Sequence, residues 1–228
     1  MSDSNEWPVI TVDGPGGAGK GTLSALLAEH FGWHLLDSGA LYRVVGYAVE
    51  RKGLWDADTQ TWAELAQQLP VTFPVVNGAV RTHYDGGDIE DSIRTEAAAK
   101  YASIVAADTG VRAALMMRQK SFVRAPGLIA DGRDMGSVVF PGAPLKVFLT
   151  ASAEERANRR YFQLKEKGES VTVATLLADI EARDERDRTR AISPLIAAPD
   201  AIELDSTNMS IDEVLTYILE LAKQRQLG

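Results

Sequence analysis

Residues 9–22, VITVDGPGGAGKGT, constrain the chain more than any other stretch. VITVD is short, apolar and largely β-branched, and it stops at a glycine, which predicts a buried strand. Leu23, Leu26, Leu27 and Phe31 then recur at helical spacing, with Gly32 placed to end the helix. Between the two, Gly14, Gly19 and Lys20 fit the phosphate-loop spacing G-x-x-x-x-G-K-[ST]. Glycines let backbone N–H groups turn inward around phosphate oxygens, and the helix that follows adds the positive end of its dipole. Lys20 supplies a mobile cation for the β- and γ-phosphates. One position departs from the pattern. Gly21 follows the lysine where Ser or Thr is expected, and Thr22 comes one place late. Thr22 is therefore the candidate for a phosphate or metal-shell contact.

Four more apolar runs share the character of the first: HLLD at 34–37, LIAD at 128–131, KVFLTA at 146–151 and AIELDST at 201–207. Helical patterns separate them, at 38–52, 91–123, 172–190 and 210–225. Ser38 is placed to cap the first of these, and Ser152 with Glu155 forms an S-x-x-E capping box. Five buried strands alternating with helices predict a parallel sheet covered on both faces, with ligands at the carboxyl ends of the strands. Near residue 70 the pattern changes. VTFPVVNGAVRTHYDGGDI carries NG and GG turns between β-rich pieces, which predicts a small antiparallel insert of two or three strands without a helix of its own.

The charged residues say what the loop serves. In SAEERANRR, Arg156, Arg159 and Arg160 share one helix face. On a chain of net charge -8, three arginines on one turn repel one another, and a polyphosphate would relieve that. In RDERDRTR, Arg183, Arg186, Asp187 and Arg190 fall on one stripe, while Asp184 and Arg188 can pair at i, i+4. A salt-bridge-laced, solvated helix explains that segment equally well. Two loops follow strands: DSGALYR brings Asp37, Ser38 and Arg43, and ADGRDMGSVVFP brings Asp131, Arg133 and Asp134. Asp131 is the candidate to hold a hydrated Mg²⁺; the alternative is that it only caps the next turn.

Taken together, GPGGAGKGT, LLDSGALYR, IADGRDMGSVVFP, SAEERANRR and RDERDRTR resemble the bacterial cytidylate kinases, a family of nucleoside-monophosphate kinases. The resemblance runs in order from about residue 8 to 222 and makes the late Thr22 family-typical. It implies an α/β, P-loop nucleoside-monophosphate kinase fold. That fold has a five-stranded parallel sheet with helices on both faces, a small antiparallel β insert and an arginine-bearing lid. The implied divisions are a core at 8–63 and 104–225, a lid at about 154–190 within it, and a monophosphate-binding insert at 64–103.

The implied reaction is ATP-dependent phosphorylation of CMP and dCMP with Mg²⁺. ATP would lie on Gly14, Pro15, Gly16, Gly17, Ala18, Gly19, Lys20, Gly21 and Thr22. Ser38, Arg43, Arg133 and Arg190 would hold the CMP phosphate, and Ser103, Arg112 and Asp134 would read the cytosine. Arg183 and Asp187 would hold the sugar hydroxyls. Arg156, Arg159 and Arg160 would sit on the lid over ATP, with Lys20, Arg133, Arg156, Arg160 and Arg190 catalytic. Thr22 and Asp131 would face the metal, Asp131 through water.

Composition excludes several other chemistries. The chain has 228 residues, 45% of them hydrophobic, and no cysteine, which rules out disulfides, thiolate zinc sites and thiol catalysis. A pI near 5.0 argues against a general nucleic-acid partner. The opening MSDSNEW has no apolar core, and no apolar run approaches the roughly 18 residues of a membrane helix. The expectation is a cytoplasmic monomer without membrane or nucleic-acid partners.

Overall fold

The computed structural model describes residues 7–166, 168, 170–189 and 194–227. The chain begins with β1 (Val9–Asp13), α1 (Lys20–Phe31), β2 (His34–Asp37), α2 (Ser38–Arg51) and α3 (Thr59–Gln67). Five two-residue strands follow: β3 (Val71–Thr72), β4 (Val75–Val76), β5 (Ala79–Val80), β6 (His83–Tyr84) and β7 (Gly87–Asp88). Helices α4 (Glu90–Ile93), α5 (Glu96–Ala106) and α6 (Thr109–Lys120) lead to β8 (Leu128–Gly132) and β9 (Leu145–Thr150). The chain then runs through α7 (Ala153–Glu166), α8 (Val173–Thr189), β10 (Ile202–Asp205) and α9 (Ile211–Gln224).

The main sheet has the order β10-β9-β1-β8-β2, and every pair in it is parallel. All five residues of β1 are buried, as a central strand covered on both faces requires. Helix α1 carries the chain from β1 past the position of β8 to the edge strand β2, and α2 to α6 bring it back. Right-handed crossovers in opposite directions put these helices on opposite faces. Ile10, Leu23, Leu27, Leu36, Leu41, Leu128, Ile129 and Leu145 are fully buried between the layers. Pairing sets Asp13 beside Gly132, and Asp131 opposite both Val12 and Asp37. The carboxyl ends of β1, β2 and β8 therefore share one row, where the site is built.

Several local expectations need correction. Asp37, not Ser38, caps α2: its carboxylate accepts the Ala40 N–H at 2.8 Å, because Ser38 is already the first helical residue. The insert holds five short strands, not two or three, in a three-stranded ladder (β3-β6-β7) and a separate hairpin (β4-β5). Asn77–Gly78 and Asp85–Gly86 both have positive φ, the pattern of tight hairpin turns. Pro74 has no N–H to continue a ladder, and its carbonyl accepts from Arg81 at 2.9 Å. Residues 91–123 form three helices, because Thr95 and Asp108 each accept a backbone N–H and start a new one. Strand β10 alternates between half-buried and exposed, as an edge strand, and is not buried throughout. The capping box expected at Ser152 is only half made: Ser152 accepts the Glu155 N–H, but the Glu155 carboxylate turns to Arg159. The complete box stands at Ser210 and Glu213, opening α9.

Candidate active site

The loop at 14–19 is shaped by close approach. Gly14 has φ 146°, and a Cβ there would lie 2.0 Å from the Leu149 carbonyl oxygen. Gly19, with φ 93°, turns the chain into α1. Gly21 is different: a Cβ there would meet only Asp131 Oδ2, at 3.8 Å, an ordinary contact. Thr22 is exposed on the first turn of α1. Lys20 is buried and folds back over the loop. Its Nζ donates to the Pro15 carbonyl at 2.9 Å and lies 3.9 Å from Asp131 Oδ1. Burial lowers the Lys20 pKa and pushes the Asp131 carboxyl up to about 7, with Lys20 opposing and Asp37 reinforcing the upward shift.

Asp13, at the end of β1, was not singled out from the sequence. Its two oxygens accept the N–H groups of Met135 and Gly136 at 2.8 and 2.7 Å. These bonds fix the start of a single π-helical turn at Met135–Val139 and so place Arg133 and Asp134 immediately before it. Burial raises the Asp13 carboxyl to about 6, because the two N–H donors only partly offset lost hydration.

The arginines gather on the far side of the loop. Arg133 donates to Asp187, and the Arg183 guanidinium would lie 3.2 Å from a Cβ on Gly16. The neighbouring Arg133 charge, with burial second, lowers Arg183 to about 10. A guanidinium depressed by another guanidinium marks an excess of positive charge, which suits an anion. Arg43 donates to the Ile93 carbonyl at 2.7 Å, tying α2 to α4. Ser38 is buried at the start of α2.

A cavity of about 240 Å³ lies nearby, lined by Tyr42, Arg112, Met116, Gln119, Asp134 and Val138 among others. Within it Arg112 and Asp134 approach to 3.5 Å, and Arg112 lies over the Tyr42 ring at 5.9 Å. The structure thus brings together two of the three residues expected to read the base. Ser103 is exposed on α5 and is not part of the cavity wall. Arg190 lies outside the described residues.

The triplet on α7 divides. Arg156 is buried, with two nitrogens on the Asp184 carboxylate at 3.1 and 2.6 Å. It also donates to the carbonyls of Ala151 and Gly16. Arg159 pairs with Glu155 and donates to the Ser206 carbonyl at 2.8 Å. Arg160 is half-buried and makes no ion pair among the described residues. Much of the repulsion expected within the triplet is thus relieved by acids of the chain itself. Asp184 serves Arg156, and among the described residues Arg188 donates only to the Asp184 backbone carbonyl, so the expected Asp184–Arg188 side-chain pair is not made.

A second cavity, about 200 Å³, opens beside Thr22, Asp37, Arg94 and Asp131, with the β4-β5 turn on its other wall. Arg94 was also missed. It bridges Glu90 in the insert to Asp37 at the end of β2, at 2.9 Å from the latter. Its sequence signal was weak, because nothing in SIRTE links it to a strand that ends 57 residues earlier. The Thr22 hydroxyl and the Asp131 and Asp37 carboxylates are hard oxygen donors on one wall. Such a set fits Mg²⁺ held chiefly by water and phosphate oxygens. No group of three acidic or histidine side chains among the described residues would hold a metal alone.

No helix among the described residues is long and apolar enough to cross a membrane. Residues 10–224 match the sequence profile of the cytidylate kinases. The cytidylate kinase of Stutzerimonas stutzeri is 54% identical over 227 residues, covering 97% of each chain. Those of Salmonella arizonae and Escherichia coli are each 53% identical over 218 residues, covering 96% of each chain. The loop, the paired arginines and the strand-end aspartates thus sit in a sequence matched almost end to end, and the chain belongs to the cytidylate kinase family.

Proposed function

We propose that the protein transfers the γ-phosphoryl group of ATP directly, in line, to the phosphate of CMP or dCMP, giving the diphosphate. The observation that carries this reading is the crowding of Arg133 and Arg183 beside Gly16, next to the cavity holding Arg112 and Asp134. Backbone N–H groups at 14–19 and Lys20 receive the ATP phosphates. Arg43, Arg133 and Arg190, with Ser38, receive the acceptor phosphate. Planar guanidinium groups bind phosphate oxygens bidentately, which fixes orientation as well as charge. Arg183 and Asp187 take the sugar hydroxyls. Ser103 joins Arg112 and Asp134 at the base as the insert, 64–103, closes on the core, 8–63 and 104–225. Arg159 and Arg160, on the lid at about 154–190, face ATP, and Arg156 holds the loop through Gly16.

The chemistry needs little else. A phosphate monoester is already anionic near neutral pH, so no general base is required. The barrier is the approach of two anions, which Lys20 and the arginines screen while stabilising charge in the transferring group. Thr22 and Asp131 would hold Mg²⁺ through its water shell, and the ion would add a further positive charge at the phosphates. Closure of lid and insert excludes water and suppresses hydrolysis of ATP. The test is ADP production with CMP, dCMP, UMP and AMP in turn. CMP and dCMP should be used well and UMP poorly; equal rates with CMP, UMP and AMP would contradict the reading.

A further inference from the structure

We infer that Arg94 is a positioning residue for the acceptor phosphate: the insert supplies it as the counter-charge to Asp37, which keeps the first turn of α2 receptive to an anion. The inference rests on the reading that Ser38 and Arg43 receive the phosphate of CMP. Asp37 stands at the N-cap of the helix that carries both of them. Its two oxygens are divided. Oδ1 accepts the Ala40 N–H at 2.8 Å, and Oδ2 accepts from Arg94 Nη2 at 2.9 Å. A carboxylate cap already occupies the positive end of its helix, and its charge repels a phosphate brought to the same turn. A cation has to offset it.

Arg94 is that cation, and it comes from the insert. Asp37 and Asp131 are partners across the β2–β8 pair, and each has its own base. Lys20 lies 3.9 Å from Asp131, and Arg94 is the ion-pair partner of Asp37 among the described residues. Arg94 is itself held from behind. Its Nε donates to Glu90, one turn earlier, and Glu90 accepts from the buried Thr82 hydroxyl at 2.6 Å. The chain Thr82–Glu90–Arg94 thus runs from the antiparallel insert to the start of α2. Arg43 donates to the Ile93 carbonyl at 2.7 Å, so the backbone at the root of Arg94 is tied to the same helix. A planar fork can hold two acids at once, which a lysine cannot match. Arg94 leaves 40% of its side chain exposed, and a pair so open to water adds little to stability. Its place beside the acceptor turn gives it another use, because an unpaired Asp37 would oppose an incoming dianion.

The test is NMR titration with CMP and with cytidine, which lacks the phosphate, in the absence of ATP and metal. The proteins are wild type, Arg94→Met, Asp37→Asn and the double variant, with thermal melting of each. Asparagine keeps an oxygen for the Ala40 N–H and removes the charge. Arg94→Met should weaken CMP binding roughly 5- to 50-fold at low salt, with cytidine held within about twofold. Adding Asp37→Asn should bring CMP back to within about threefold of wild type, even where Tm stays lowered because Glu90 has lost its cation. An unchanged CMP affinity in Arg94→Met overturns the inference. So does a loss that the double variant does not recover, which would put Arg94 on the phosphate itself. Equal weakening of CMP and cytidine also overturns it, and would make Arg94 structural. Wild-type binding of CMP no tighter than of cytidine would instead overturn the reading of Ser38 and Arg43 as the phosphate site, so the two failures are distinguishable.

Discussion

Replacing Arg156 by Met should unfold the protein more than it should abolish ATP binding. Arg156 and Asp184 expose only 4% and 7% of their side-chain surface, and their contact is bidentate. Removing the arginine leaves a buried carboxylate without its cation, a change worth ~3–5 kcal/mol. For a chain of this size that lowers Tm by roughly 6–20 °C. The double variant Arg156→Met/Asp184→Leu should recover part of the loss, because no charge is stranded. What stays lost is the pair of bonds to the Ala151 and Gly16 carbonyls, about 1 kcal/mol each. The double variant should therefore sit about 2 kcal/mol below wild type, recovering ~1–3 kcal/mol of the Met variant's loss. Urea unfolding of wild type, the Met variant, Asp184→Leu and the double variant measures this cycle. A Met variant less than about 1 kcal/mol destabilised, or a double variant as damaged as the single, would refute this role for the Arg156–Asp184 pair.

Three further outcomes follow from the same geometry. Gly14→Ala should abolish ATP binding, since the new Cβ would meet the Leu149 carbonyl oxygen at 2.0 Å and the loop must move; titration with an ATP analogue checks this, and retained affinity contradicts it. Asp13 releases its proton near 3.8 unfolded and about 6 folded, so the native state holds the extra proton between those values. Stability therefore falls as pH rises through that window, by up to ~1.4 kcal/mol per unit. Asp13→Asn should flatten the slope in urea melts taken at stepped pH, and an unchanged slope would contradict the assignment. Asp134→Ala should lower the CMP preference over UMP by more than tenfold, roughly one lost charged hydrogen bond, with ATP affinity retained; equal loss of both would make Asp134 structural.

The local pattern of strand, glycine loop and helix was legible because each piece rests on neighbours in sequence. VITVD supplies its own burial signal, and Gly14 and Gly19 occupy positions whose φ only glycine adopts easily. The site was legible where chemistry-bearing residues end strands, as Asp131, Arg133 and Asp134 do. Residues that act across long separations were not. Asp13 holds a turn more than 120 positions away, and Asp184 holds an arginine 28 positions earlier. Spacing within a helix put Asp184 opposite Arg188, whereas packing of α7 on α8 gave it to Arg156.

The most direct test of the account follows phosphorus itself. Incubation with ATP, Mg²⁺ and CMP, observed by ³¹P NMR, should show the two resonances of CDP rising in step with those of ADP, with negligible inorganic phosphate. ADP formed together with inorganic phosphate, and CMP left unchanged, would mean that water is the acceptor and that the arginine cluster beside the loop serves another anion.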